Sequence, residues 1–359
     1  MTANSKVIKV GVLGLGRSGY GIHIDAIKKM SETFQVVTIY DPLHDRAAAV
    51  AGEFGIIQSA SEDQLINNPE VELVVVASPN RCHTEQALRA LKSGKHVLCE
   101  KPFGLTLAES DLMIAASCTA GKVLQPFQQR RFEPDFLKVK EICESGLLGE
   151  IYQIRICWHG FSRRWDWQTV RSCGGGALNN NGPHLIDHAM ELFGKGEPQV
   201  WAETRRCLCS GDAEDHLKAV IYAAGHPTID IELSSIFPFP QDRWLVCGSK
   251  GGLHGTGSKL EWKWVDFSTM PERKVELAST PDRSYNYEKL VWHENSWQAE
   301  STADAGSGAP PAVQQVITLY NSLYRTIREG AAQEITPESV RQRVAVMEKI
   351  RKSAGITAC

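Results

Sequence analysis

The stretch that decides the fold is Val7-Ile8-Lys9-Val10-Gly11-Val12-Leu13-Gly14-Leu15-Gly16-Arg17-Ser18-Gly19. Its first seven residues form a short, β-branched and nearly continuous apolar run, as expected of a strand buried on both faces of a parallel sheet. A Gly-x-Gly-x-x-Gly follows directly and opens a helix-length segment. Gly14 permits a tight turn, Gly16 lets the backbone approach a pyrophosphate, and Gly19 lets the helix pack close to the strand. Phosphates would meet the amides and positive end of that helix, beside Arg17 and Ser18. By itself the motif is weak, because such turns also occur without a ligand.

Moving outward, Val36 to Tyr40, Leu73 to Ala77, His96 to Cys99 and Lys122 to Leu124 repeat the buried-strand pattern. Helix-length segments such as Glu85 to Leu91 and Leu107 to Ser117 lie between them, so the pattern predicts a doubly wound parallel sheet of Rossmann type over residues 1–126. Asp41 follows the second run, 22 residues beyond Gly19. A carboxylate there accepts hydrogen bonds from the adenosine ribose and repels a 2′-phosphate, which favours NAD over NADP. The alternative is that Asp41-Pro42 merely caps the next helix.

Residues 127–359 read differently. Ile229, Ile231, Leu233, Ser235 and Phe237 alternate with Asp230, Glu232 and Ser234, and Leu260, Trp262 and Trp264 repeat that period of two. An α+β domain with an open, mainly antiparallel sheet is expected. Gly248 to Gly252 should supply positive φ angles for a hairpin turn. The spacing of Val313 to Ile327 and of Val340 to Ile350 predicts two amphipathic helices, the second capped by Thr336 before Pro337. Ser301 to Pro311 reads as a surface loop. An open sheet face should expose several apolar side chains, so burial in a homodimer or homotetramer is expected.

The chain has 359 residues, 42% hydrophobic and 23% charged, and a net charge of −3. That suits a two-domain globular protein and provides no strong field for nucleic acid or an acidic membrane. No apolar run is long enough to span a bilayer, and MTANSK lacks the apolar stretch of a signal peptide. Ten cysteines are scattered without a Cys-x-x-Cys pair. Reduced thiols and a cytoplasmic location are therefore expected.

Further along stand Ser78-Pro79-Asn80, His83, and Gly94-Lys95-His96-Val97-Leu98-Cys99-Glu100-Lys101-Pro102. Then come Gln129-Arg130-Arg131-Phe132, Gly146-x-x-Gly149-Glu150, Gly174-Gly175-Gly176-x-Leu178 and Gly182-Pro183-His184-Leu185-Ile186-Asp187. This series resembles the Gfo/Idh/MocA family of NAD(P)-dependent sugar and inositol oxidoreductases over nearly the whole chain. The resemblance implies that Ser78, Pro79, Asn80, His83, Glu100 and Lys101 join Gly14, Gly16, Arg17, Ser18, Gly19 and Asp41 around NAD. It also implies that a cis peptide bond before Pro102 aims Lys101 at the substrate, and that His184 takes or returns the hydroxyl proton. An acidic residue four places before that histidine is common in the family; this chain departs from it with Asn180, whose amide can hold a hydroxyl but does not supply the carboxylate of a base dyad at 180 and 184.

The residues support these assignments independently. Lys101 ends a parallel strand, where its ammonium can hydrogen-bond a substrate hydroxyl and stabilise a developing alkoxide. Its pKa would be lowered by cationic groups of the second domain. The bland alternative is a surface lysine paired with Glu100. His184 and Asp187 share a helix face, and imidazole suits proton transfer, although a lone histidine is more often structural. His188 lies four residues from His184, but no third ligand is apparent and no metal is expected. Arg163, Arg164, Trp165, Asp166 and Trp167 are substrate-binding candidates with Asn180 and Asp187, since indole packs on a sugar face while Arg and Asp read hydroxyls. Trp158, His159 and Arg171 stand in the same crowded stretch, and Trp292 and Trp297 are weaker candidates. The cations Lys101, Arg163, Arg164 and Arg171 are expected to face one cleft.

Three readings remain open at this point. One is NAD-dependent oxidation of a secondary alcohol on a small-molecule sugar, inositol or glycoside, or the reverse. Another is a redox-neutral hydrolase or lyase that oxidises its sugar only transiently. The third is a non-catalytic NAD or sugar sensor.

Overall fold

The continuous apolar runs become strands with side chains buried on both faces. In the computed structural model, which describes residues 6–280, 282–299 and 311–356, they are β1 (Ile8–Leu13), β2 (Phe34–Tyr40), β3 (Ile57–Gln58), β4 (Leu73–Val76), β5 (His96–Cys99) and β6 (Leu124–Pro126). All pair in parallel, in the order β3-β2-β1-β4-β5-β6. The order reverses between β1 and β4, and a crevice opens at the carboxyl ends of the strands there. Helices α1 (Asp25–Lys29), α2 (His44–Phe54), α3 (Glu62–Ile66), α4 (His83–Lys92) and α5 (Leu107–Ala120) make the crossovers. Sequence chemistry sets their starts: Ser61 accepts a hydrogen bond from the Gln64 amide, and Thr106 forms a capping box with Glu109.

The second layer begins with α6 (Pro134–Glu144), then β7 (Ile151–His159), α7 (Ala177–Asn180) and α8 (Gly182–Phe193). Strands β8 (Gln199–Arg205), β9 (His216–Tyr222), β10 (Thr228–Ser234), β11 (Trp244–Gly248), β12 (Gly251–Gly255), β13 (Lys259–Val265) and β14 (Trp292–Gln298) complete it with β7. The order is β14-β13-β12-β11-β7-β10-β9-β8, antiparallel except where β7 meets β10. This is the expected α/β chain: a Rossmann doubly wound parallel sheet followed by an α+β layer with an open, mainly antiparallel sheet.

Two last helices close the chain, α9 (Pro311–Glu329) and α10 (Pro337–Ser353), with Thr336 capping the second at 3.1 Å from the Ser339 amide. α9 lays Val316, Leu319, Tyr320 and Leu323 into the core of the parallel sheet, well beyond residue 126. α10 places Val346, Met347 and Ile350 in the second core, with Leu185, Ile186 and Ala189 of α8. The expected loop at 301–310 lies outside the described residues, and Pro311 already begins α9.

One expectation needs correcting. Gly248, Gly251 and Gly252 do not have positive φ angles. Gly248 and Gly251 are needed for close approach instead, since an added Cβ would sit 2.2 Å from the Leu148 carbonyl oxygen and 2.1 Å from that of Lys263. The open sheet face does expose several apolar side chains, as expected, but they surround a charged centre. There Arg155 meets Glu232 at 3.0 Å and Lys218 meets Asp230 at 3.1 Å, while Trp201, Tyr222 and Leu245 are exposed around them. The alternation that places Ile229, Ile231 and Leu233 in the core turns Asp230 and Glu232 to the opposite face, where Glu232 is nonetheless buried beside Arg155 and Lys218.

The nine described cysteines are all free thiols. Among the described residues no helix is long and apolar enough to cross a membrane.

Candidate active site

The glycine loop runs from the end of β1 into a wide helical turn at Gly19–Ile24. Gly14 has φ +88°, and a Cβ there would lie 2.7 Å from the Ala77 oxygen and the Ser78 nitrogen. A Cβ on Gly19 would lie 1.9 Å from the Gly14 oxygen. Around Gly16, by contrast, no atom lies within 4 Å of that position, so the loop is open on the side where a pyrophosphate would approach. Asp41 follows β2 and is buried, its carboxylate accepting from the Leu15 amide at 2.8 Å and the Leu43 amide at 2.9 Å. Arg46 lies 3.3 Å away, a partner the sequence reading missed. The open glycine cradle and the acid at the next strand end fit a dinucleotide.

Lys101 stands just past β5, and the peptide bond that joins it to Pro102 is cis. Its Nζ donates to the main-chain oxygen of Asn180 at 2.8 Å and to the Asn180 side-chain oxygen at 3.2 Å. Thus a residue of the parallel sheet and one at the end of α7 meet across the crevice. Burial holds the Lys101 pKa below its ordinary value against the pull of Glu100, and Arg130, Arg17 and Arg164 reinforce the shift.

His184 lies in the first turn of α8 and is buried. Burial, aided by Lys101, Arg130, His188 and Arg243, pushes its pKa well below the ordinary histidine value, so the ring is neutral. Its Nδ1 lies 3.3 Å from Nε2 of Gln128, which also donates to the Pro183 oxygen at 3.0 Å. Below α7, the Glu214 carboxylate accepts from the Leu178 amide at 3.1 Å and fills the space a Cβ on Gly176 would take. The triple glycine thereby lets the chain carrying Asn180 descend onto Glu214.

Several of the expected site residues have side chains that bond to other parts of the protein. Glu100 is buried and contacts His23 at 3.3 Å and the Lys101 amide at 3.0 Å; burial would raise its pKa, but His23 and Lys101 hold it low. His23 in turn meets the Tyr320 hydroxyl at 2.9 Å, so α9 braces the lysine turn. His83 is also buried, its ring nitrogens 2.9 Å from the Ser78 oxygen and 3.2 Å from the Pro102 oxygen. Ser78 bonds to Gln86 at 2.6 Å, and the Asn80 amide bonds to the Gly174 oxygen at 2.8 Å. These groups lock loops to one another, because polar atoms buried at a domain junction need partners.

Asp187 is likewise taken up. It is fully buried and binds Arg131 and Arg343, at 3.0 Å from Arg131 Nε and 2.9 Å from Arg343 Nε. It therefore neither orients His184 nor faces substrate. His188 donates to the Arg130 oxygen at 2.8 Å and stacks on Phe136, directed away from any pairing with His184.

Of the cations expected in the crevice, Arg164 acts on Lys101 and is paired with Asp166 at 2.8 Å, and Arg163 is exposed. Arg171 lines a small cavity with Glu214 and Arg351 instead. Trp165 is 80% exposed and Trp167 38%, so both indoles remain open to a ligand, and Asp166 caps the turn between them and Val170. Arg130 is the cation the sequence reading left without a role. It lies 4.6 Å above the Trp158 ring and pairs with Glu133, which also binds Arg243 at 2.5 Å. The Gln129-Arg130-Arg131-Phe132 motif marked Arg130; nothing in the sequence marked Arg243.

Residues 8–128 match the model of an oxidoreductase family with an NAD-binding Rossmann fold, and residues 136–254 match the GFO/IDH/MocA C-terminal domain. The chain is 31% identical to the uncharacterized oxidoreductase YdgJ of Escherichia coli K12, over 96% of this chain and 94% of that protein. It is 25% identical to the scyllo-inositol 2-dehydrogenase (NADP(+)) IolW of Bacillus subtilis, over 97% of this chain and 94% of that one. Its fold matches the WlbA dehydrogenase of Bordetella pertussis, solved in complex with NADH and UDP-GlcNAcA, with a TM-score of 0.76 and 20% identity over 98% of this chain and 97% of that chain.

Proposed function

Because the chain belongs to the GFO/IDH/MocA oxidoreductase family and carries its NAD-binding domain, we propose that it oxidises a secondary alcohol of a sugar, inositol or glycoside to a ketone, or catalyses the reverse. The observation that supports this reading best is the meeting of Lys101 with Asn180 beside His184, at the carboxyl end of β5. NAD, when bound, supplies the hydride acceptor at nicotinamide C4. Gly14, Gly16 and Gly19 shape its phosphate cradle and Asp41 stands ready for the adenosine ribose. Lys101 places an N–H or a lone pair against the substrate oxygen, and His184 holds the same oxygen from the second domain.

The Asp41 carboxylate favours NAD over NADP, with Arg46 partly offsetting its charge. Trp165 and Trp167, with Arg163 and Arg164, offer a sugar ring faces to pack on and donors to bind. The exposed Trp201, Tyr222 and Leu245 support pairing of open sheet faces in a homodimer or homotetramer, which light scattering of the purified protein measures.

A panel of inositols, free sugars and glycosides offered with NAD and separately with NADP tests the activity. NADH accumulating with one class supports the reading. Product formed at catalytic cofactor without an absorbance change means a redox-neutral hydrolase or lyase, and cofactor binding without turnover across the panel means a sensor.

A further inference from the structure

The proton role of His184 depends on which ring nitrogen carries the hydrogen, and the structure constrains this. Gln128, just after β6, is buried, and its side-chain amide has one clear anchor: the Pro183 carbonyl, 3.0 Å from Nε2. A carbonyl only accepts, so the atom facing it must be the NH2 of the amide. That NH2 has a second hydrogen, and His184 Nδ1 lies 3.3 Å away. The ring nitrogen facing it must accept. In a neutral imidazole the hydrogen then sits on Nε2.

We infer that Gln128 is a positioning residue that holds His184 as the Nε2–H tautomer, so that His184 donates a hydrogen bond to the substrate oxygen while Lys101 exchanges the proton. The inference rests on the dehydrogenase reading above and deepens it. An Nε2–H imidazole has no lone pair there to take a hydroxyl proton, and giving up its own proton would leave an imidazolate. It can polarise an oxygen, as a neutral histidine does in other enzymes. Lys101 is built for the complementary task. Asn180 supplies two acceptors to Nζ, which accommodate two N–H bonds. The remaining position on nitrogen is a lone pair in the amine and an N–H in the ammonium.

Oxidation then balances as follows. The carbinol C–H bond breaks and its electron pair leaves as hydride to the nicotinamide ring, which is reduced. The O–H pair becomes the new C=O bond as the proton moves to Lys101 Nζ, turning amine into ammonium. His184 Nε2–H stays bonded to the oxygen throughout, and reduction reverses each step. The charged groups around Lys101 are Glu100 on its own strand end, Arg17 of the glycine loop, Arg130 after β6 and Arg164 of the loop after β7. Those around His184 are Lys101, Arg130, His188 and Arg243. Asn180 adds no charge.

The decisive readout is not activity. In the full chain labelled with 15N-histidine and saturated with NAD, long-range proton–nitrogen NMR reports the tautomer, with His184→Asn assigning the signal. The expected result from pH 6 to 9 is an unprotonated Nδ1 and a protonated Nε2. A protonated Nδ1 in the wild type overturns the inference and leaves the dehydrogenase reading intact. Gln128→Glu presents acceptors only and is expected to move the hydrogen to Nδ1; an unchanged tautomer there overturns the role of Gln128. Gln128→Met keeps the shape without a donor and should give mixed tautomers, whereas a wild-type signal counts against the inference. Once a substrate is in hand, His184→Asn, which keeps an N–H, should retain the rising limb of the kcat/KM pH profile with about a tenfold lower rate. Loss of that limb would assign the base to His184.

Discussion

Nζ of Lys101 donates to the main-chain oxygen of Asn180 across 2.8 Å, joining the end of β5 to the end of α7 over 79 residues of sequence. A main-chain acceptor cannot be removed by mutation, so truncating the lysine is the informative change. Lys101→Met should lower kcat/KM by about 10²- to 10⁴-fold. NADH affinity, followed by fluorescence, should change by less than about tenfold, since the glycine loop remains intact. A parallel loss of both would place Lys101 in cofactor binding instead.

Asn180→Asp places a carboxylate against the same ammonium. A neighbouring negative charge favours the protonated form and raises a lysine pKa. The limb of oxidation that rises with pH should move to higher pH, measured as kcat/KM across pH 6–10. A profile that does not move would dissociate the limb from Lys101.

Two glycine substitutions should separate folding from cofactor binding. Gly19→Ala drives a Cβ to 1.9 Å from the Gly14 oxygen and should lower both the melting temperature and NADH affinity. Gly16→Ala meets no protein atom within 4 Å, so its melting temperature should stay close to wild type while NADH affinity falls about tenfold or more. Equal melting losses in both would mean that Gly16 has a structural task.

Asp187 should behave as a structural ion. Removing it takes from the largely buried Arg131 and Arg343 the carboxylate that both Nε groups bind, leaving the half-buried Glu191 as their shared anion. Asp187→Ala should therefore cost about 3–5 kcal/mol in chemical denaturation. A variant with wild-type stability and a raised KM would return Asp187 to the substrate.

His96 provides an acid-sensitive element away from the site. Burial, with Lys122 nearby, pushes its pKa down to about 4, and Nδ1 accepts from the Val123 amide at 3.0 Å. The folded state keeps the ring neutral while the unfolded chain protonates near 6.5, so its contribution is present above pH 6.5 and is lost as pH falls toward 4. The loss at pH 5 is at most about 2 kcal/mol, reduced by partial exposure. His96→Gln should shrink the difference in unfolding free energy between pH 7.5 and pH 5 by up to that amount.

What could be read in the sequence was local. Gly14, Gly16, Gly19 and Asp41 act through backbone shape and strand-end position, which spacing alone conveys, and Lys101 and His184 stood in equally regular contexts. The pairing of Gln128 with His184 joins residues 56 apart, and that of Arg243 with Glu133 residues 110 apart. Such contacts depend on how layers pack, and periodicity carries no trace of them. The same limit explains Asp187, whose spacing from His184 suggests a shared task while its arginine partners, 56 residues before it and 156 after it, leave no mark on that spacing. Tyr320 was read as part of an amphipathic stripe, but its contact with His23 beneath the glycine loop required α9 to return to the first core.

The most direct test of the central claim follows the hydride itself. The holoenzyme is given NAD and the substrate class that responds in the panel, deuterated at the carbinol carbon, and the cofactor is recovered and examined by NMR. Deuterium is expected at nicotinamide C4 in an amount equal to the ketone formed, with none transferred by Lys101→Met on the same timescale. Ketone or cleaved product appearing without deuterium in the recovered NADH would contradict it.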